Sequence, residues 1–211
     1  MEWDTDFSVE VARLAGDSRA YGLAVVRGDT PDAPLDIGMP DLPMLHTRAH
    51  IIMETAPYDP YGSGHGVDPE TLAALPELLE DPVAVIESRT RPGVLMVVLD
   101  AVAGPFDEPL TAMVNPDVPV AGSADPGERA NFVLSAYGRG QMIHEVARAF
   151  GRCDTLLYDH ARFWALAAKC RPADERARIR ARDKAMRERD GMGIDGGAWG
   201  QMGTHGHRRR M

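Results

Sequence analysis

Four apolar runs of strand length follow one another between Val83 and Tyr137, and they constrain the fold more than any other feature of the chain. VAVIE, VLMVVLD, LTAMVN and NFVLSAY are rich in β-branched residues, which suit a pleated, half-buried surface. Turn-formers separate them: SRTRPG, AGPFDEP and a longer NPDVPVAGSADPGERA. Short connections favour antiparallel neighbours, because a parallel pair needs a crossover of about a dozen residues. The sequence therefore predicts an antiparallel sheet of about four strands.

Helical patterns flank these runs. Phe7, Val11 and Leu14 are spaced i, i+4, i+7, a short amphipathic helix. Leu23 to Val26 reads as an edge strand. Residues 28–43, GDTPDAPLDIGMPDLP, hold four prolines and read as an irregular surface segment. Residues 44–56 read as a helix with Leu45, Ile51 and Ile52 partly buried. At Asp68-Pro69-Glu70 an N-cap, a first-turn proline and an acidic first turn coincide. Leu72, Leu75, Leu78 and Leu79 line one face behind it, and Pro76 predicts two short helices or one bent one. After the strands, Ile143, Val146, Ala147 and Phe150 mark a helix, and Ala161, Trp164, Ala165 and Ala168 mark another capped by Asp159. The predicted class is α+β, with helices flanking the sheet.

Charge is distributed unevenly. Residues 1–170 hold 12 Lys+Arg against 26 Asp+Glu, a net of -14, whereas 171–211 hold 11 against 6, a net of +5. An acidic body is a poor generic binder of phosphate backbones. Residues 171–190 read as a charged helix and 191–211 as a Gly-rich, basic, disordered tail. No stretch approaches the roughly 20 apolar residues of a membrane span, and the acidic N-terminus is unlike a secretory signal. A cytoplasmic protein with no membrane partner is expected. The two cysteines, Cys153 and Cys170, exclude a disulfide framework and read as small buried hydrophobes. Their spacing with His144 and His160 fits no zinc pattern, so no metal and no cofactor is expected.

Four segments taken in order resemble a known family: GDTPDAPLDIGMPDLPML (28–45), HGVDPETLAALPELLEDPVAVIESRT (65–90), the following strand pair, and NFVLSAYGR (131–139). They resemble the C-terminal domain of phage MuF proteins, which looks similar to the phage versions of the barnase, EndoU, colicin E5/D and RelE nucleases found in polyvalent proteins. The organisation expected on this basis is an N-terminal helix and strand (1–26), a MuF C-terminal-like α+β domain (27–170), the charged helix and the tail.

The resemblance implies RNA cleavage without a metal. There the 2′-hydroxyl attacks the neighbouring phosphate, a base and an acid move the protons, and cations steady the charge on phosphorus. His65, in a Gly-flanked loop before a helix, suits a general base, or equally a loop imidazole packed on the helix start. His50 is a weaker candidate of the same kind. Arg89 and Arg91, at a strand end, could hold phosphate, or be ordinary turn charges, with Ser88 starting the turn. Ser135, Tyr137 and Arg139 alternate along an extended chain and so share one face. The catalytic candidates are thus His65, Ser135 and Tyr137, and the substrate-binding candidates Arg89, Arg91 and Arg139. Glu54, Glu87, Asp107 and Glu108 select no acid–base pair and read as surface charges. Three functions follow: a phage or mobile-element nuclease acting on RNA as an endoribonuclease toxin, a non-catalytic accessory that binds a protein partner, or an acidic inhibitor of a basic nuclease.

Overall fold

The computed structural model describes residues 6–16, 21–59 and 63–170, with isolated positions 172, 175, 177 and 181. The chain divides into two compact units, residues 1–171 and 172–211, and every element below belongs to the first. The predicted charged helix and tail lie outside the described residues but for those isolated positions.

In chain order the elements are α1 (Phe7–Leu14), β1 (Leu23–Arg27), α2 (Asp32–Asp36), β2 (Met44–Thr47), α3 (Arg48–Thr55), α4 (Pro69–Ala73) and α5 (Leu75–Glu80). The second half adds β3 (Ala84–Glu87), β4 (Leu95–Ala103), β5 (Glu108–Pro119), β6 (Arg129–Gly138), α6 (Met142–Gly151), β7 (Thr155–Tyr158) and α7 (His160–Lys169). The class is α+β, but the sheet is larger than the sequence suggests. Seven strands run in the order β1-β2-β6-β5-β4-β3-β7, and β2 pairs β6 in parallel while the other neighbours are antiparallel.

The meander β3 to β6 is the one predicted from the four apolar runs, and β1 is an edge strand. Three differences have physical causes. Met44–Thr47 was expected to be helical, yet it slots between β1 and β6 with Met44, Leu45 and His46 all buried. Tertiary pairing overrides local pattern there, and the helix begins only after Thr47, whose side chain accepts the His50 N–H. β7 pairs with β3 and was missed because four residues between two helices show no alternation. In the proline-rich segment Asp32–Asp36 forms a helical turn, since a proline in the first turn forfeits no helical hydrogen bond.

The sheet is covered on both faces. On one, Phe7, Val11, Leu14, Ile51, Leu72, Leu75 and Leu79 pack on inward residues such as Val85, Val97, Ala112 and Val133. On the other, Met142, Val146, Ala149, Phe163 and Leu166 pack on Ala84, Ile86, Met96, Val98 and Met113. The predicted stripes of α1 and α4–α5 are the buried ones, and Pro76 does separate two short helices. Those of α6 and α7 are shifted. Phe150 is 49% and Trp164 50% exposed, and they rest at the rim against Tyr158 and Phe163. Cys153 is exposed at a positive φ of 59° and Cys170 is half-buried, so neither is a core hydrophobe.

Candidate functional site

The second face is not covered evenly. Met96, Met113 and Ser135 stand side by side across β4, β5 and β6 and form the floor of a cleft of about 690 Å³. One wall is the β3–β4 turn with Ser88, Arg89, Thr90 and Arg91. The other carries Tyr137, Arg139 and Gln141, then Glu145 and Arg148 from α6. A second cavity of about 450 Å³ shares Ser88, Arg89, Met96, Glu145 and Arg148 with it and ends at Arg152 and Leu156.

The turn that mounts Arg89 and Arg91 is held from within. Ser88 N–H donates to the Val94 carbonyl (2.8 Å), Arg91 N–H to Ser88 Oγ (3.3 Å) and Gly93 N–H to Glu87 Oε1 (2.8 Å). Ser88 therefore does start the turn, and its hydroxyl is spent there. Ser135 and Tyr137 on β6, with Arg139 just past its end, line the same cleft, as their alternation requires. Gly138 lies against β4, where an added Cβ would strike the Ala103 carbonyl, so the strand can leave the sheet for α6 only at a residue without a side chain.

Charge in the cleft opposes that of the body. Arg89, Arg91, Arg139 and Arg148 converge on it with one carboxylate, Glu145. Among the described residues none of these four guanidiniums has a carboxylate within ion-pair distance, whereas Arg152 pairs Asp154 at 2.6 Å. Arg139 donates to Met113 Sδ (3.1 Å) and its guanidinium carbon lies 5.9 Å from the Tyr137 ring centre, within cation–π range.

His65 does not line the cleft. Its ring stacks on Tyr137, centres 4.2 Å apart and planes 9° from parallel, and its backbone N–H donates to Met53 (3.0 Å). Tyr137 thus separates it from the cleft. Burial holds the His65 imidazole below its ordinary 6.5, opposed by Glu54. Burial also lowers His50, with His46 and then His65 adding to the effect and Glu54 opposing it. His50 lies away from the cleft, stacked on His46 at 5.9 Å.

Sequence reasoning missed Glu145 and Arg148, although their i, i+3 spacing on an amphipathic helix just after the strand bearing Tyr137 was a usable signal. It also misplaced two carboxylates. Glu54 is 0% and Glu108 6% exposed, so neither is a surface charge. Glu54 forms a buried pair with His46 (2.8 Å) for which the sequence offers no periodic clue.

Residues 59–162 match the family model of the phage MuF C-terminal domain. No curated protein and no solved structure matches the chain significantly. The MuF C-terminal match takes in every residue that lines the cleft, and His65 as well. It starts after β1, β2 and α3. Among the described residues no helix is long and apolar enough to cross a membrane.

Proposed function

We propose that this phage-type domain binds single-stranded RNA in the arginine-lined cleft and cleaves it by side-chain acid–base chemistry. The observation that carries the reading is the convergence of Arg89, Arg91, Arg139 and Arg148, without ion-pair partners among the described residues, on a chain of net charge -9. Unpaired guanidiniums gathered in an acidic protein select for an anion with several oxygens, and a phosphodiester meets that need bidentately.

In this reading the Glu145 carboxylate takes the proton of a 2′-hydroxyl, whose oxygen then attacks the adjacent phosphorus. The bond from phosphorus to the 5′-oxygen breaks, and the Tyr137 phenol gives its proton to that leaving oxygen. A 2′,3′-cyclic phosphate and a 5′-hydroxyl end result. The arginines and the Ser135 hydroxyl stabilise the extra charge on the phosphoryl oxygens. His65, stacked behind Tyr137, fixes the plane of the phenol and is not itself the base.

The test is cleavage of a labelled RNA oligonucleotide in the presence of EDTA. Cyclic-phosphate products should appear with the wild type and be lost with Tyr137→Phe and Glu145→Gln. Equal background in all three removes the catalytic claim. A second reading, an RNA-binding accessory without turnover, draws support from the position of His65 outside the cleft. It predicts binding that Arg148→Ala weakens, with no products from any variant.

A further inference from the structure

β2 runs out before β6 does. Their parallel pairing covers Met44–His46 against Asn131–Val133, and the chain then leaves as α3 at Arg48. β6 continues to Gly138, so beyond Val133 its β2-facing edge has no strand beside it among the described residues. Buried backbone groups left unpaired there would be destabilising. Two side chains take the place of the missing strand. His46 Nδ1 donates to the Val133 carbonyl (2.6 Å), and Glu54 Oε1 accepts the Ala136 N–H (2.5 Å). His46 Nε2 and Glu54 Oε2 close the bridge at 2.8 Å. Both residues are 0% exposed.

The hydrogen bonds fix the proton count. A carbonyl only accepts, so Nδ1 carries hydrogen. An amide only donates, so Oε1 accepts. One proton remains between Nε2 and Oε2, and wherever it sits the pair is neutral as a whole. The bridge spans residues 133–136, across the irregularity at which Met113 pairs Ser135 but Val114 pairs Val133. Leu134 is the extra residue of a bulge. A bulge sets the phase of the strand after it, and a slip by one residue turns each side chain to the opposite face.

We propose that His46 and Glu54 are positioning residues for the cleft: by bonding Val133 and Ala136 they lock the β6 bulge in the phase that presents Ser135, Tyr137 and Arg139 to the ligand. The cleft as ligand site rests on the function proposed above; the locking of the bulge does not.

The test separates geometry from activity. Glutamine at position 54 can still accept the Ala136 N–H and donate its amide to His46 Nε2, so Glu54→Gln keeps the bridge. Glu54→Ala and His46→Leu break it. Expected are wild-type amide shifts for Ser135, Tyr137 and Arg139 in Glu54→Gln, and displaced shifts in the other two. Leu72→Ala, a core change outside β6, serves as control and should leave those three shifts in place. RNA cleavage should lose at least about tenfold in kcat with little change in KM for the bridge-breaking variants, and Glu54→Gln should restore it. Folded Glu54→Ala with unmoved shifts overturns the proposal. If the bridge-breaking variants do not fold, wild-type hydrogen exchange decides. The Ala136 amide must then be protected like those paired in the β5–β6 ladder, and exchange as fast as that of an exposed loop amide overturns the proposal. A wild type inactive on RNA, with the shifts still displaced in Glu54→Ala and His46→Leu, refutes the nuclease and leaves the positioning intact.

Discussion

The cationic cleft makes a quantitative prediction about salt. Each single-strand phosphate neutralised by a protein cation contributes about -0.7 to the slope of log K against log salt. Four arginines line the cleft, so full engagement gives a slope of about -2.8. Replacing any one of them by alanine should make it shallower by about 0.7. The affinity losses should differ. Arg89, Arg91 and Arg148 are exposed, so water screens them and each removal should weaken binding by no more than about fivefold. Arg139 is half-buried and held against Met113 and Tyr137. Its loss should approach the roughly 1.5–3 kcal/mol of a charge-assisted hydrogen bond. Glu145→Gln should act oppositely, tightening binding while ending turnover. The assay is fluorescence anisotropy of a labelled single-stranded RNA between about 50 and 200 mM KCl. A wild-type slope near zero, or four alanine variants that keep the wild-type slope, would refute the idea that these guanidiniums meet phosphates.

Other outcomes follow from the packing and from the histidines. His50 and His65 are held below 6.5 by burial, so the folded chain binds protons less readily than the unfolded one. Their contribution to stability is present above pH 6.5 and is lost as pH falls through their folded values. Urea unfolding at neutral and mildly acid pH should show that loss, and the His50→Gln, His65→Gln double variant should flatten it; an unaltered pH dependence counts against it. Gly138→Ala should lower the melting temperature and displace α6, because its Cβ meets the Ala103 carbonyl; a crystal structure with unmoved α6 would contradict this. Phe163→Ala should cost about 3–5 kcal/mol, whereas Trp164→Ala, at 50% exposure, should cost far less, as denaturant midpoints would show.

The sequence carried the middle of the fold better than its ends. The runs that became β3 to β6 are apolar, rich in β-branched residues and bounded by turn-formers, so local chemistry and tertiary role agree. The Asp68 cap and the α4–α5 leucines agree in the same way. β2 was illegible because the residues that make it a strand lie in β1 and β6. The stripes of α6 and α7 are misread because both helices carry apolar residues on two faces, and the exposed aromatics Phe150 and Trp164 rest at the rim on Tyr158 and Phe163. For the candidate site, alternation groups Ser135, Tyr137 and Arg139, which line one cleft together with the arginines of the β3–β4 turn. His46 with Glu54 could not be found that way, since their meeting depends on where a strand stops.

The parallel seam between β2 and β6 also governs how the chain assembles. His46 and Val133 are 87 positions apart, whereas the hairpins from β3 to β6 close locally, and contacts between distant positions form late. At roughly 5–20 residues per second of synthesis, β2 waits on the order of 4–17 s for its partner to leave the ribosome. During that interval a buried-type histidine and glutamate stand in water, and β2 has only β1 beside it. A fragment restricted to residues 59–162 would meet the converse difficulty, with the edge of β6 open to strands from other chains. The stretch that matches the phage family is therefore shorter than the stretch that must fold together.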